Sequence, residues 1–271
     1  MQRSTSLAVS LLEILSSLVK LTAQCISIGL STCTIITIIA VIIIIIIIRR
    51  LKHPNVIMLI GWVVTDTDVL VVMNYVKGTN LAYAIGLTKS KRSIEILDAK
   101  YNGFVMYNTA QGMVYLHAKH IIHQDLKPGN ILVEDLTKKA IICDFGISKL
   151  RENATMATTV SDKCNGGTLA YQHIEQLQGK VLTYTVDVYA FAVVMAEVHS
   201  RKRAWDGKGA TEVRNSILDG KYPQFPDITG PCAALIDRCF QQPSDRPSFS
   251  EMLPKYKNYV RWTFGNFYNY M

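Results

Sequence analysis

Between Val186 and Val198 the chain is apolar on nearly every side of a helical turn, interrupted only by Asp187 and Glu197. A helix without a polar face has to be surrounded, so this stretch predicts the centre of a large helical domain. The remainder can supply the covering. With 49% apolar and 18% charged residues in 271, the chain is too hydrophobic to be disordered and long enough for a sizeable core. Further helices are expected at Thr211 to Leu218, Cys232 to Phe240 and Phe249 to Tyr259, separated by Gly and Pro. No internal repeat is visible.

Upstream the pattern is different. Val56 to Val64 and Val69 to Tyr75 are short β-rich runs flanking the turn-forming Thr65-Asp66-Thr67-Asp68, which predicts a hairpin. From Ile94 through Leu97, Tyr101 and Val105 to Leu116, apolar residues recur at three- and four-residue steps and predict one long helix. Ile131 to Val133 and Ala140 to Cys143 flank the polar Glu134 to Lys139, a second antiparallel pair. Residues 147 to 180, rich in Thr, Ser, Asn and Gly, are expected to form a long functional loop.

The first fifty residues stand apart. No charge occurs from Leu21 to Ile48, and the run ends in seven consecutive isoleucines before Arg49-Arg50. As a helix it would be about 42 Å long, against a hydrocarbon core of roughly 30 Å, so a tilted membrane span is expected. The basic cluster after it places the C-terminal part in the cytosol. A cleaved signal peptide fits poorly, because the apolar region is too long and starts too late. The run is also low in complexity, as a misjoined exon would be. The formal charge of +8 favours anionic partners without choosing among them. Six cysteines with no C-x-x-C pair and no Cys/His metal spacing point to free thiols rather than a zinc or disulfide framework.

The chemistry lies where the two structural patterns meet. His123-Gln124-Asp125-Leu126-Lys127-Pro128-Gly129-Asn130 precedes one strand and Asp144-Phe145-Gly146 follows the next, so a hairpin holds two carboxylates and an amide at one end. This arrangement resembles the catalytic core of protein kinases, in which H-R-D-L-x-x-x-N is followed by D-F-G. Gly167-Thr168-Leu169-Ala170-Tyr171, Glu175, Asp187 and Ser244-Asp245-Arg246-Pro247 then fall in the family's order. The resemblance runs from about Leu51 to Tyr259 and looks most like the tyrosine-kinase-like group of serine/threonine kinases.

The resemblance implies an α+β kinase-like fold with an intact helical lobe and a truncated β-rich lobe, preceded by the membrane helix expected from the uncharged run. Together these readings divide the chain into an N-terminal segment 1–20, the span 21–48, a kinase-like domain 51–260 and an aromatic tail 261–271. Within the domain, 51–76 is the upper-lobe remnant with the hinge and 77–260 the helical lobe. By the same resemblance Asp125 orients the substrate hydroxyl and accepts its proton, Lys127 faces the transferred phosphate, and Asn130 and Asp144 are the ligands of Mg²⁺ bound with ATP. Thr168 with Lys127 points to serine or threonine substrates. Met73 is the gatekeeper, Tyr75 and Val76 belong to the adenine-binding hinge, and Leu132 forms the floor under the ring. Glu175 pairs with Arg246, Asp187 holds the catalytic loop, and His123 and Phe145 join the internal spine.

The departures are as informative. Gln124 replaces the arginine that docks an activation-loop phosphate, His173-Ile174-Glu175 stands for A-P-E, and Ala192 for a glycine. No G-x-G-x-x-G and no V-A-I-K strand occur, and Ile44 occupies the place of the regulatory-helix glutamate. Lys20 is the only lysine before residue 49. The expected function is therefore an ATP- and Mg²⁺-dependent protein serine/threonine kinase acting on protein substrates at a membrane, with no nucleic-acid partner. Its competitors are a membrane-tethered pseudokinase that binds without transferring phosphate, and a truncated fragment.

Overall fold

The structure, a computed structural model, describes residues 49–64, 69–88, 97–145, 166–254 and 257. The run Leu21–Ile48, Gly146 and the aromatic tail therefore lie outside the described residues. No described helix is long and apolar enough to cross a membrane.

Two compact units are present. In the smaller, β1 (Leu59–Val64) and β2 (Val69–Met73) form an antiparallel hairpin in which Trp62 faces Val71 and Val63 faces Leu70, with an irregularity between Leu59 and Gly61. The expected hairpin is there, but both strands are shorter than the apolar runs. Val56 instead bridges Ile142, and Asn74 ends the second strand by donating its N–H to Met58 O at 2.9 Å.

The larger unit contains β3 (Gly78–Asn80), a short helix α1 (Leu81–Ala84), α2 (Asn102–Ala118), β4 (Ile131–Glu134) and β5 (Ala140–Ile142). It continues with the single-turn helices α3 (Gly166–Leu169) and α4 (Ile174–Leu177), then α5 (Thr185–Ser200), α6 (Ala210–Leu218) and α7 (Gly230–Phe240). Strands β3, β4 and β5 are antiparallel in that order. Beyond β5 the segment 53–57 covers the edge: Ile142 N–H donates to Asn55 O at 2.9 Å, and Ile57 N–H donates to Ile142 O at 2.8 Å. This segment clusters with the larger unit, although its sequence position had suggested the upper-lobe remnant.

Every residue of α5 from Val186 to Val198 is buried, as its sequence demands. Helix α2 starts later than its periodicity predicts. Asp98 caps a 3₁₀ turn over Ala99–Tyr101, and Leu97 stays outside the helix, where its N–H donates to Ala84 O. Asn102 then ties α2 to α5, its Nδ2 donating to Val198 O at 3.1 Å. Gly112 brings α2 against the sheet: a Cβ there would lie 2.7 Å from Ile142 Cδ1 and 2.8 Å from Asn55 O. The stretch expected to be one long loop to residue 180 contains α3 and α4, whose four residues each are too few for a periodic signal.

Candidate active site

The loop before β4 is fixed from below by the helix beneath it. Asp187, in the first turn of α5 and fully buried, accepts the His123 N–H at 2.8 Å on Oδ2 and the Gln124 N–H at 2.8 Å on Oδ1. His117 Nε2 on α2 meets the same Oδ2 at 2.9 Å, a partner the sequence did not suggest. With its N–H held there, Gln124 adopts a left-handed φ of 67°, and its carbonyl accepts Gln176 Nε2 at 3.0 Å. Backbone strain of this kind persists where the surroundings over-determine it. Asp187→Ala would leave two loop N–H groups without acceptors, so folding stability should fall by about 3 kcal/mol or more. Chemical denaturation followed by circular dichroism checks this; a loss under about 1 kcal/mol would show that the loop does not depend on the carboxylate.

His123 is buried and shaped by two contacts. Its Nε2 lies 3.1 Å from Cys143 O, and its Nδ1 accepts the Asp125 N–H at 3.3 Å, which assigns the proton to Nε2. Burial lowers its pKa, in keeping with a neutral ring, and the ring packs edge-on to Phe145 at 6.3 Å. Cys143 beside it has its thiol pushed up to about 12 by burial and stays protonated, its Sγ donating to Asn130 O.

Four of the expected residues converge above this base. Lys127 Nζ donates to Asp125 Oδ2 at 2.7 Å and to Thr168 Oγ1 at 3.0 Å, bridging the loop to α3. Asn130 Nδ2 donates to Asp125 O at 2.8 Å and to Oδ2 at 3.0 Å. Oδ2 of Asp125 is thus doubly satisfied. Its Oδ1 is buried and finds no donor among the described residues. A buried carboxylate oxygen without a donor is costly unless an outside hydroxyl or N–H comes to it.

Asp144 follows β5 with its side chain exposed and φ at 59°, and no described group donates to its carboxylate. Cys143 N–H donates to Asn130 O at 2.9 Å, which keeps this end of β5 next to Asn130. The Asn130 amide hydrogens go to Asp125, so its carboxamide oxygen remains available. Leu132 is half-buried in β4, opposite Ile141 on one side and Asn80 on the other. Tyr75 is 88% exposed and Val76 half-buried in the strand-free link that opens the larger unit. Met73 ends β2 in the smaller unit.

The bracing residues occupy their expected places. Arg246, buried, donates Nη1 to Thr185 O at 3.0 Å and Nε to Gln241 O at 2.8 Å, with Glu175 Oε2 at 3.9 Å from Nη1. Its guanidinium lies 5.3 Å from the centre of the Tyr189 ring. At the start of α4 the His173 N–H donates to Gln176 Oε1 at 3.2 Å, a contact the sequence did not reveal.

Comparison with known proteins agrees with this geometry. The protein kinase domain family matches residues 40–256. The chain is 37% identical over 146 residues to the RGS domain-containing serine/threonine-protein kinase A of Dictyostelium discoideum, covering 53% of this chain and 12% of that protein. It is 30% identical over 210 residues to the serine/threonine-protein kinase CTR1 of Arabidopsis thaliana, covering 76% of this chain and 25% of that one. Over 227 residues it is 30% identical to the human receptor-interacting serine/threonine-protein kinase 1, covering 77% and 32%. The chain thus spans a third or less of the length of these relatives.

Proposed function

The chain belongs to the protein kinase domain family, and from that premise we propose that it transfers the terminal phosphate of ATP to serine or threonine hydroxyls of protein substrates. The observation that carries this reading is the buried, unpartnered Oδ1 of Asp125. With Oδ2 engaged by Lys127 and Asn130, the carboxylate is fixed in orientation, and Oδ1 is the atom left to accept a substrate hydroxyl and its proton. Lys127, tethered to both Asp125 and Thr168, offers a cation next to that hydroxyl, where negative charge develops during transfer.

The residues at the end of the β4–β5 hairpin fit a divalent metal with a nucleotide. Asp144 and the Asn130 carboxamide supply hard oxygen donors that no described group occupies, and Mg²⁺ is the ion such a set suits. When bound, a metal–nucleotide complex supplies the phosphoryl group and neutralises its charge. Leu132, Tyr75 and Val76 are the residues of the larger unit that we assign to the adenine. The test is transfer of radiolabelled phosphate from ATP to a mixed protein substrate, followed by phosphoamino-acid analysis. Phosphoserine and phosphothreonine are expected; phosphotyrosine as the main product overturns the substrate class.

A second reading, a binding scaffold that does not transfer phosphate, is favoured by one feature alone: the sequence has no G-x-G-x-x-G loop and no strand lysine before the hinge. In both readings we place the uncharged Leu21–Ile48 run in a bilayer, with the kinase domain on the cytosolic side behind Arg49-Arg50. The tagged chain should stay in the membrane pellet after carbonate extraction. Its release as an intact soluble protein would refute the membrane assignment and leave the kinase reading untouched.

A further inference from the structure

The larger unit contains a cavity of about 320 Å³ beside the phosphate-transfer cluster, lined in part by Thr88, Tyr171, Glu197, Arg203, Trp205 and Lys208. Its link to the cluster is direct. Thr168, which receives Lys127 Nζ, also accepts the Tyr171 N–H through its carbonyl at 3.2 Å, so one turn presents Thr168 to Asp125's partner and Tyr171 to the cavity. The volume is at the lower end of ligand pockets and suits a side chain with its stretch of backbone.

The charges of the lining are unevenly committed. Glu197 is buried, and both its oxygens are used internally: Oε2 accepts the Tyr171 hydroxyl at 2.7 Å and Oε1 the Ala204 N–H at 2.8 Å. Burial raises its pKa to about 7, against the pull of the nearby Arg203 charge, and neither oxygen is left to take a donor from a ligand. Arg203 donates through Nε and Nη2 to the carbonyl of Leu87, a neutral group, and has no carboxylate within ion-pair distance among the described residues. Lys208 sits over the Trp205 ring at 5.5 Å and also reaches Glu212 at 3.1 Å. The lining thus sets Arg203 and the already paired Lys208 beside Glu197 and the exposed Asp206.

Two further features point outward. Trp205 Nε1 and Thr88 Oγ1 are buried and have no hydrogen-bond partner among the described residues. An indole N–H can only donate, so what it lacks is an acceptor. Trp205 also holds a left-handed φ of 59°, which a bulky residue adopts only under constraint, and such constraint collects at ligand sites. Donors without acceptors, beside a guanidinium whose hydrogen bonds go only to a neutral carbonyl, describe a site for an acceptor that Arg203 can face.

We propose that this cavity receives the carboxylate side chain of an Asp or Glu in the protein substrate, hydrogen-bonded by Trp205 Nε1 and Thr88 Oγ1 and facing the Arg203 guanidinium. The inference rests on the kinase reading for its occupant, since it is a substrate polypeptide that would pass from Asp125 to this cavity. It makes the site selective for acidic sequences and disfavours basic ones.

The experiment reads binding, without ATP and without turnover. The full chain in detergent is titrated into fluorescent alanine-rich peptides that carry a central serine and a single Glu, Gln or Lys moved stepwise along the flanks. At one position the Glu peptide should bind about tenfold tighter than its Gln counterpart, and Trp205→Phe, which removes the N–H together with part of the indole ring, should remove most of that preference. Arg203→Gln should do the same and decides the matter if the Trp205 variant fails to fold by circular dichroism. Equal binding of Glu and Gln at every position, a preference for Lys, or unchanged selectivity in the folded variants would overturn the proposal. A Glu preference abolished by these variants in a chain that transfers no phosphate would keep the cavity and discard the kinase activity.

Discussion

Asp125→Asn should lower phosphate transfer to protein by about 10²–10⁴-fold, relative to the rate of the unaltered chain, without changing the thermal midpoint appreciably. The geometry dictates how. Lys127 Nζ and Asn130 Nδ2 both donate to Oδ2, so the new carboxamide must keep its oxygen on that side. Its NH₂ then takes the place of the buried Oδ1, where the acceptor for the substrate hydroxyl had been. A hydroxyl arriving there meets a donor, loses its hydrogen bond and has no base to take its proton. Single-turnover transfer of radiolabelled phosphate measures the effect, with calorimetry as the control for folding. An unaffected rate would show that Oδ1 is not the acceptor and that the catalytic loop has been assigned wrongly.

Much of this site was legible in the sequence because its parts are close along the chain. Asp125, Lys127 and Asn130 lie within six residues, and a tight hairpin of two short strands returns the chain to Asp144, so local geometry alone puts them at one end. The helix from Val186 to Val198 was equally legible, since a segment with no polar face has one possible environment. The contacts that fix the loop were harder to read. Asp187 to His117 and Gln176 to Gln124 join residues 70 and 52 positions apart, and neither His nor Gln announces its partner by type. The cavity beside Tyr171 was not legible at all. It arises from α1's exit, the turn after α3 and the loop after α5, three stretches whose polar residues look individually like solvated surface.

The element boundaries failed for a related reason. Periodicity carried the long helix back through Leu97 to Ile94, but the Asp98 side chain accepts the Lys100 N–H at 3.0 Å and restarts the backbone as a 3₁₀ turn. A capping hydrogen bond over two residues outweighed a hydrophobic pattern whose apolar side chains can pack equally well from outside a helix. Val56 likewise satisfied its β preference with Ile142 in the larger unit rather than by extending β1.

The chain as it stands should transfer phosphate at least about a thousandfold more slowly than the ordinary kinase range of about 1 to 100 per second. On the function proposed above, the helical unit retains the acceptor side of the reaction, with Asp125 and Lys127 assigned to the hydroxyl and Asn130 and Asp144 to the metal. What the sequence lacks is the clamp on the donor side. No glycine-rich loop and no V-A-I-K lysine occur before the hinge, and Ile44 stands where a glutamate would hold that lysine. A cationic clamp on a transferring phosphate contributes several kcal/mol to the transition state, and loss of about 4 kcal/mol corresponds to roughly a thousandfold in rate. Nucleotide binding should suffer less, because the residues we propose for adenine (Tyr75, Val76 and Leu132) and for the metal are kept. Weak binding of Mg²⁺·ATP with very slow turnover is therefore expected, measured by isothermal titration alongside a radiolabelled transfer assay, with Asp144→Asn as the control that abolishes both. Turnover of about 1 per second or more, lost in that control, would mean that residues ahead of the hinge replace the clamp, and Lys20, as the only lysine before Arg49, would be the first to substitute.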